Sequence, residues 1–201
     1  MKGPVFIVDD DAAVRDSLDL LLGSAGFETQ AFDSAESFLA AQREPGRGCL
    51  LSDIRMPGKS GVELLEILRQ QGDDCPVVLI TGHGDVALAV EAMKRGALDF
   101  IEKPFDDARL IEAISGALTK RGEARPAIDP EAAACLAALS RRERQVMEGL
   151  LDGQSNKEIA RNYGISPRTV EVYRAHVMGK MRADTFSELV QIAIRAGLRK
   201  N

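Results

Sequence analysis

Hydrophobic residues in the first 120 positions occur in short runs that are separated by amphipathic stretches. The stretches 61–71 and 85–95, for example, carry apolar residues at helical spacing. Five short segments have the length and pattern of β-strands, at 5–8, 28–32, 49–52, 77–81 and 100–102. This alternation predicts an α/β domain in which a five-stranded parallel sheet is covered by helices on both faces, through right-handed crossovers.

The remainder of the chain has a different pattern. Residues 121–130 combine a glycine, two prolines and mixed charges without periodicity, as linkers do. Beyond them we find no strand pattern, and helical patterns occur near 131–138, 141–152, 156–163, 167–182 and 187–196. The predicted organisation is an α/β domain at 1–120, a linker at 121–135 and a small all-α domain at 136–201.

Charge separates the two predicted domains. The formal net charge of the chain is -5. Residues 1–120 hold 12 basic and 21 acidic residues, whereas residues 121–201 hold 14 basic and 10 acidic ones. An acidic domain suits a bound cation, and a basic domain suits a polyanion such as DNA.

Cysteine usage and the N-terminus bear on the compartment. Cys49, Cys75 and Cys135 are odd in number and far apart, which fits neither a disulfide framework nor a metal site, so we expect reduced thiols. The N-terminus does not resemble a signal peptide, and no apolar window approaches the roughly 18 residues of a membrane span. We therefore expect a cytoplasmic protein that does not bind membranes.

Acidic residues follow two of the predicted strands. Asp9, Asp10 and Asp11 come directly after the first strand, and Asp53 comes directly after the third. The carboxyl ends of parallel strands lie at one edge of the sheet, so these carboxylates should lie close together. A hard cation such as Mg²⁺ would relieve their repulsion. The alternative is that Asp11 caps the next helix and the others are solvated loop charges.

Two further polar groups follow the fourth and fifth strands. Thr81 and Gly82 would supply a hydroxyl and an unhindered backbone N–H, and Lys103 would supply a positive charge. Taken singly, Thr81 could be a helix cap and Lys103 a surface lysine. Together with Asp53 as a carboxylate nucleophile and a metal ion, they are the parts that phosphoryl transfer requires.

Residues 2–120 resemble the receiver domain of two-component response regulators, which has a flavodoxin-like fold. The resemblance implies that Asp53 is the phosphoacceptor. It also implies that Asp10, Asp53 and the Arg55 carbonyl bind Mg²⁺ directly, while Asp9 acts through water. The motifs that carry the similarity are VDDD at 8–11, SDIRMPG at 52–58, LITGHG at 79–84 and FIEKPF at 100–105.

The same resemblance assigns the contacts of the phosphoryl group and the switch. Thr81, Gly82 and Lys103 would face the phosphoryl oxygens, and the Lys103–Pro104 bond would be cis. Phe100 would change position together with Thr81, the alternative being that Phe100 is simply a core residue. Arg55 and His83, beside this site, would tune the lifetime of the phosphoryl group, the alternative for His83 being a solvated loop residue.

The second domain contains a helix-turn-helix pattern. Ser140 and Glu143 form a capping box at the start of one helix. Another helix spans 156–163, and after about three residues a third begins with Ser166 as its N-cap and Pro167 at its first position. Two short helices joined by a tight, glycine-containing turn are typical of a DNA-binding motif whose second helix enters the major groove.

Residues 136–197 resemble the LuxR-type helix-turn-helix domain of the NarL/FixJ response regulators, through LSRRE at 139–143, NKEIA at 156–160 and ISPRTVEVYR at 165–174. From the geometry of the groove we predict that Arg168, Glu171 and Val172 approach base edges. Phosphate contacts are predicted for Lys157, Thr169, Arg174, His176 and Lys180. The alternatives are a solvated amphipathic helix and, for His176, a packed helix residue.

These predictions combine into a regulator of transcription that is not an enzyme. A sensor histidine kinase would phosphorylate Asp53, the phosphorylated chain would form a homodimer, and the dimer would bind promoter DNA and activate RNA polymerase. The segment 166–172 is especially similar to the FixJ branch, which implies genes of nitrogen fixation or low oxygen. Two alternatives remain, a small phosphatase, which needs an acid where Arg55 stands, and a phosphate-independent assembly module that binds protein.

Overall fold

The computed structural model describes residues 3–82, 86–119 and 129–198. His83 and residues 121–128 of the predicted linker therefore lie outside the described residues. The chain divides into two compact units, Met1–Gly122 and Glu123–Asn201. We call them the receiver unit and the helical unit and describe each by itself. None of the described helices has the length and apolar character needed to cross a membrane.

The receiver unit is built on a five-stranded parallel sheet with the strand order β2-β1-β3-β4-β5. The predicted fold class is confirmed. Its strands are β1 (Val5–Val8), β2 (Thr29–Phe32), β3 (Cys49–Asp53), β4 (Val77–Thr81) and β5 (Asp99–Glu102). Its helices are α1 (Ala12–Ser24), α2 (Ala35–Ala40), α3 (Gly61–Gln70), α4 (Val86–Arg95) and α5 (Asp107–Thr119).

Both faces of this sheet are covered, which explains the uninterrupted apolar runs of the central strands. Successive side chains of β1 point to opposite faces. Val5 and Ile7 belong to a buried cluster that includes residues of α1 and α5. Phe6 instead packs on Phe38 of α2, with ring centroids 5.7 Å apart in an edge-on arrangement.

The order of the strands creates the edge at which the polar residues gather. From β1 the chain passes to β2 on one side of the sheet, and from β3 it passes to β4 and β5 on the other side. In open α/β sheets, ligands bind where the strand order reverses in this way, at the carboxyl ends of the strands. Val8 of β1 pairs with Ser52 of β3. Asp9 follows Val8 and Asp53 follows Ser52, so the two aspartates are neighbours at the ends of adjacent strands.

The described part of the helical unit contains five helices. They are α6 (Pro130–Ala137), α7 (Arg141–Leu151), α8 (Asn156–Tyr163), α9 (Pro167–Met181) and α10 (Phe186–Arg195). The turn between α8 and α9 contains Gly164 at φ 65, and Ser166 caps α9 with Pro167 in its first turn, as predicted. Val146, Ile159 and Val170 of α7, α8 and α9 share one buried cluster, which holds the helix-turn-helix together.

One predicted boundary is corrected by α6. The linker was predicted to extend to residue 135, but α6 already begins at Pro130. Asp129 caps this helix, and its N–H donates to the Arg195 carbonyl at 2.8 Å. Proline fits the first turn of a helix because no N–H is needed there. Residues 130–135 therefore belong to the helical unit.

A close approach of α7 and α8 depends on Gly149. A Cβ at this position would lie 2.8 Å from Cγ1 of the fully buried Ile159. We expect Gly149→Ala to lower the free energy of unfolding of the helical unit by about 1–2 kcal/mol, because overpacking outweighs the gain in helix propensity. Thermal or urea unfolding measures this change.

The matched control is Gly179→Ala in α9. A Cβ at Gly179 meets no atom within 4 Å. This substitution should raise the free energy of unfolding by about 0.5 kcal/mol through helix propensity alone. If both substitutions changed the free energy of unfolding equally, the close approach of α7 and α8 at Gly149 would be contradicted.

Candidate phosphoacceptor site and DNA-binding surface

Asp53 ends β3 and lies at the carboxyl edge of the sheet. The residue is 8 % exposed. Its Oδ1 accepts a hydrogen bond from Lys103 Nζ at 2.7 Å, and its Oδ2 accepts one from the Arg55 N–H at 2.7 Å. The two hydrogen bonds therefore hold the carboxylate in one orientation, and a small part of the side chain remains exposed to solvent.

Asp9 lies beside Asp53 and is more deeply buried. Its Oδ1 accepts the Asp11 N–H at 2.9 Å, and its Oδ2 lies 3.4 Å from Lys103 Nζ. Burial raises the pKa of Asp9 and the charge of Asp53 adds to this, whereas the Asp11 N–H and Lys103 oppose them. The pair of carboxylates shares a lysine, so the local charge remains negative.

Lys103 follows β5 and turns inward between the two carboxylates. The peptide bond to Pro104 is cis, as the resemblance implies. Burial alone would lower the pKa of Lys103, but the hydrogen bond and charge of Asp53, together with the charge of Asp9, outweigh burial and raise it. Lys103 therefore stays protonated at neutral pH and supplies the fixed positive charge predicted for this edge.

The other predicted receiver residues lie around this group, and Arg55 and Thr81 contact it through their backbones. Asp10 and Arg55 are exposed, and Asp11 caps α1. Thr81 is fully buried, its hydroxyl donates to the Gly82 carbonyl at 3.1 Å, and its own carbonyl accepts the Lys103 N–H at 2.7 Å. The roles of these residues stay predictions.

Phe100 also stays a prediction as a switch residue. Its ring is 4 % exposed and lies in β5 opposite Leu79 of β4. This is the buried position that the core alternative requires, and it is also one of the two positions that a switch would use.

The group of oxygens at this edge fits a magnesium ion by its chemistry. Carboxylates of Asp9, Asp10 and Asp53 and the carbonyl of Arg55 are hard donors, and Mg²⁺ takes only one or two carboxylates while keeping water. Among the described residues no set of three or more His, Cys, Asp and Glu side chains is arranged to hold a metal ion. Water would have to complete the coordination.

Two residues that the sequence reasoning missed support the site. Arg15 Nη1 donates to the Asp9 carbonyl at 2.7 Å and so fixes the acidic turn to α1. Gly61, the first residue of α3, donates its N–H to the Ile54 carbonyl at 3.0 Å and closes the loop after Asp53. The signal for Arg15 was its place near the start of the predicted helix, six residues after Asp9.

The exposed face of α9 carries the residues predicted to approach base edges. The side chain of Arg168 is 88 % exposed and that of Glu171 is 53 % exposed, and the two form an ion pair at 3.3 Å. Val172 is an exposed large hydrophobic residue. The three side chains are thus available to a groove, and Glu171 holds Arg168 in the free chain.

The residues predicted to contact phosphates differ in their surroundings. Lys157 on α8 is exposed. Thr169 has its hydroxyl 2.8 Å from that of Ser166, and the Arg174 guanidinium lies 5.9 Å from the centre of the Phe186 ring. His176 and Lys180 both face Glu143 within the helical unit, which sequence reasoning did not anticipate.

Comparisons with known proteins match the two units to two families. The response regulator receiver domain matches residues 5–115. The bacterial regulatory proteins of the luxR family match residues 137–193.

Relatives and solved structures match the whole chain. Transcriptional regulatory protein FixJ of Bradyrhizobium diazoefficiens is 56% identical over 98% of this chain and 97% of its own length, and that of Rhizobium meliloti is 49% identical over 96% of each. The crystal structure of full-length FixJ from B. japonicum has a TM-score of 0.58, with 54% identity and complete coverage of both chains. The response regulator StyR follows with a TM-score of 0.56 and 41% identity over 97% of this chain. This chain therefore belongs to the FixJ-like response regulators, transcription regulators that combine a receiver domain with a LuxR-type DNA-binding domain.

Proposed function

We propose that Asp53 accepts a phosphoryl group from the phosphohistidine of a sensor histidine kinase and that phosphorylation switches the chain to promoter binding. The observation that carries this proposal is the Asp53 carboxylate, aligned by the Arg55 N–H and bonded to Lys103 at 2.7 Å at the carboxyl edge of the sheet. In the transfer, an Asp53 oxygen forms a bond to phosphorus while the bond between phosphorus and the histidine nitrogen breaks.

A magnesium ion held by Asp10, Asp53 and the Arg55 carbonyl, with Asp9 acting through water, would neutralise charge on the transferred group. Lys103 then exchanges its bond with Asp53 for one with a phosphoryl oxygen, and the Gly82 N–H and the Thr81 hydroxyl turn to other oxygens. These donors stabilise charge that develops during transfer, which is the main contribution a protein makes to such chemistry.

The switch follows from the move of Thr81. When its hydroxyl turns to the phosphoryl group, space opens that the Phe100 ring can occupy, and the surface of α4, β5 and α5 rearranges to form a homodimer. Shifting such an equilibrium from 1:99 to 99:1 requires about 5.5 kcal/mol of differential stabilisation. Contacts with the phosphoryl group and a new dimer interface together supply it.

The output is binding of promoter DNA through α9, in the cytoplasm where kinase and DNA are both present. Arg168, Glu171 and Val172 read bases, and the dimer reads an inverted repeat. Lys157, Thr169 and Arg174 hold phosphates. Bound next to a promoter, the dimer recruits RNA polymerase and activates transcription. Given the relatives named FixJ, we propose nitrogen fixation or low-oxygen genes as targets.

The test is a gel shift on duplex DNA selected from a random library by the phosphorylated chain. Acetyl phosphate with Mg²⁺ should tighten binding by roughly 5- to 150-fold, the usual range of coupling between two sites. A phosphatase would release phosphate from metabolites and give no shift. An assembly module would give no shift with or without acetyl phosphate, and either result would refute the proposed function.

A further inference from the structure

The helical unit buries a carboxylate at the start of α7. Glu143 is 4 % exposed, and it is the buried ionisable residue among the described residues of this unit. Its Oε2 accepts the Ser140 N–H at 2.7 Å, which completes the predicted capping box. A buried charge needs a partner of opposite charge, and the cap alone supplies none.

Both basic side chains that face Glu143 come from the helix predicted to enter the groove. Lys180 Nζ lies 2.7 Å from Oε2, and His176 Nδ1 lies 3.7 Å from Oε1. The hydrogen bond from Lys180, followed by those from Ser140, lowers the pKa of Glu143 to about 2. The Glu143 carboxylate is therefore charged at neutral pH and holds α9 by a bond between charged groups.

The position of Lys180 on α9 separates it from the base-reading face. Lys180 lies twelve residues after Arg168, about 18 Å along the helix axis and about 120° around it. Its Nζ also donates to the Ala138 carbonyl at 3.4 Å, before α7 begins. Lys180 thus fastens the far end of α9 to the start of α7, whereas Arg168 lies on the exposed face near the other end of α9.

The inner face of α9 is apolar. Val170, Val177 and Met181 are buried on its inner face. The hydrophobic driving force is non-directional, so burial of this face constrains the rotation of the helix less sharply than a hydrogen bond between charged groups does. The hydrogen-bonded pair of the buried Glu143 carboxylate and the exposed Lys180 ammonium adds a directional contact, because its donor and acceptor meet in a narrow range of geometries.

We propose that Glu143 and Lys180 are positioning residues for DNA recognition, and that their ion pair fixes the rotation of α9 on α7 rather than leaving Lys180 to neutralise a DNA phosphate. This inference rests on the proposed function, since it requires that α9 read DNA. It removes Lys180 from the phosphate contacts predicted from the sequence, because its charge is already neutralised by Glu143 inside the unit.

The test compares Glu143→Gln, Lys180→Met and the double variant with the wild-type full chain. Affinity for the selected duplex is measured against salt concentration, after treatment with acetyl phosphate and Mg²⁺ and well below each melting temperature. We expect each single substitution to weaken binding about tenfold, the size of one base contact, without changing the salt slope. The double variant should bind no more weakly than the weaker single variant, because both substitutions break the same pair.

Lys157→Met serves as the matched control, because it removes an exposed lysine predicted to contact a phosphate. This variant should lower the magnitude of the salt slope by about 0.9. If Lys180 contacts a phosphate instead, Lys180→Met will lower the slope likewise, and Glu143→Gln will strengthen binding by freeing that charge. Either result overturns the inference alone.

Two further outcomes complete the test. Lower melting temperatures with unchanged affinity would show that the pair is merely structural and would also overturn the inference. Absence of salt-dependent binding by the wild-type chain would overturn the proposed function and the inference together. Lys180→Arg keeps the charge and can pair with Glu143, so this variant should bind DNA with wild-type affinity. It keeps the inference testable if the Lys180→Met variant fails to fold.

Discussion

Asp53→Asn is expected to abolish phosphorylation of the full chain by acetyl phosphate with Mg²⁺. An amide has no anionic oxygen to attack phosphorus, and the neighbouring Asp9 carboxylate is not placed to replace it. Asp9 is buried, and its Oδ1 is occupied by the Asp11 N–H at 2.9 Å. Intact-mass spectrometry measures the loss, because each phosphorylated chain carries one added phosphoryl group.

Asp33→Asn is the matched control for this substitution. Asp33 follows β2 as Asp53 ends β3, but it is exposed and hydrogen-bonds with Ser34 instead of Lys103. The control should be labelled like the wild-type chain. Phosphoryl transfer that survives in Asp53→Asn, with the fold verified by circular dichroism, would remove Asp53 from the mechanism. Loss in both variants would point to a shared effect on the fold.

The sequence was sufficient to place the carboxylates and the lysine at one edge. Parallel strands end on the same side of a sheet, so the residues that follow β1, β3 and β5 must meet wherever the strand order makes them neighbours. The pattern of apolar runs predicts that order only through topology rules. The meeting of Asp9 and Asp53 follows from it because β1 and β3 are adjacent. Strand β5 is separated from β3 by β4, so only the structure shows that the Lys103 ammonium reaches both carboxylates.

Contacts between distant parts of the chain could not be predicted in this way. Glu143 and Lys180 are 37 residues apart, and their pairing depends on how α9 crosses α7, which no local pattern encodes. As a result, Lys157 and Lys180 received the same prediction, although Lys180 is bound to the Glu143 carboxylate and Lys157 is an exposed residue of α8. The helix near 131–138 is predicted from its pattern, and only the extension of the linker to residue 135 is wrong, because proline is as compatible with a helix start as with a linker.

Gly61→Ala is expected to slow phosphorylation of Asp53 about 100-fold while leaving the chain folded. A Cβ at Gly61 would lie 2.3 Å from the Asp53 carbonyl oxygen and 3.0 Å from the Ser52 hydroxyl. Backbone atoms cannot yield as a flexible side chain does, so β3 and α3 must separate by about 1 Å to restore normal contact. A displacement of about 1 Å in a reacting group can reduce its rate by about 100-fold. The initial rate of labelling by acetyl phosphate measures the effect.

Gly116→Ala in α5 provides the comparison, because a Cβ there meets no atom within 4 Å. This variant should be phosphorylated at the wild-type rate. The displacement in Gly61→Ala also loosens the bond between the Gly61 N–H and the Ile54 carbonyl, which now measures 3.0 Å and closes the loop carrying Arg55. Raising the Mg²⁺ concentration should therefore recover part of the lost rate if the Arg55 carbonyl is a ligand. A folded Gly61→Ala chain that is labelled as fast as Gly116→Ala would show that the loop absorbs the methyl group without moving Asp53.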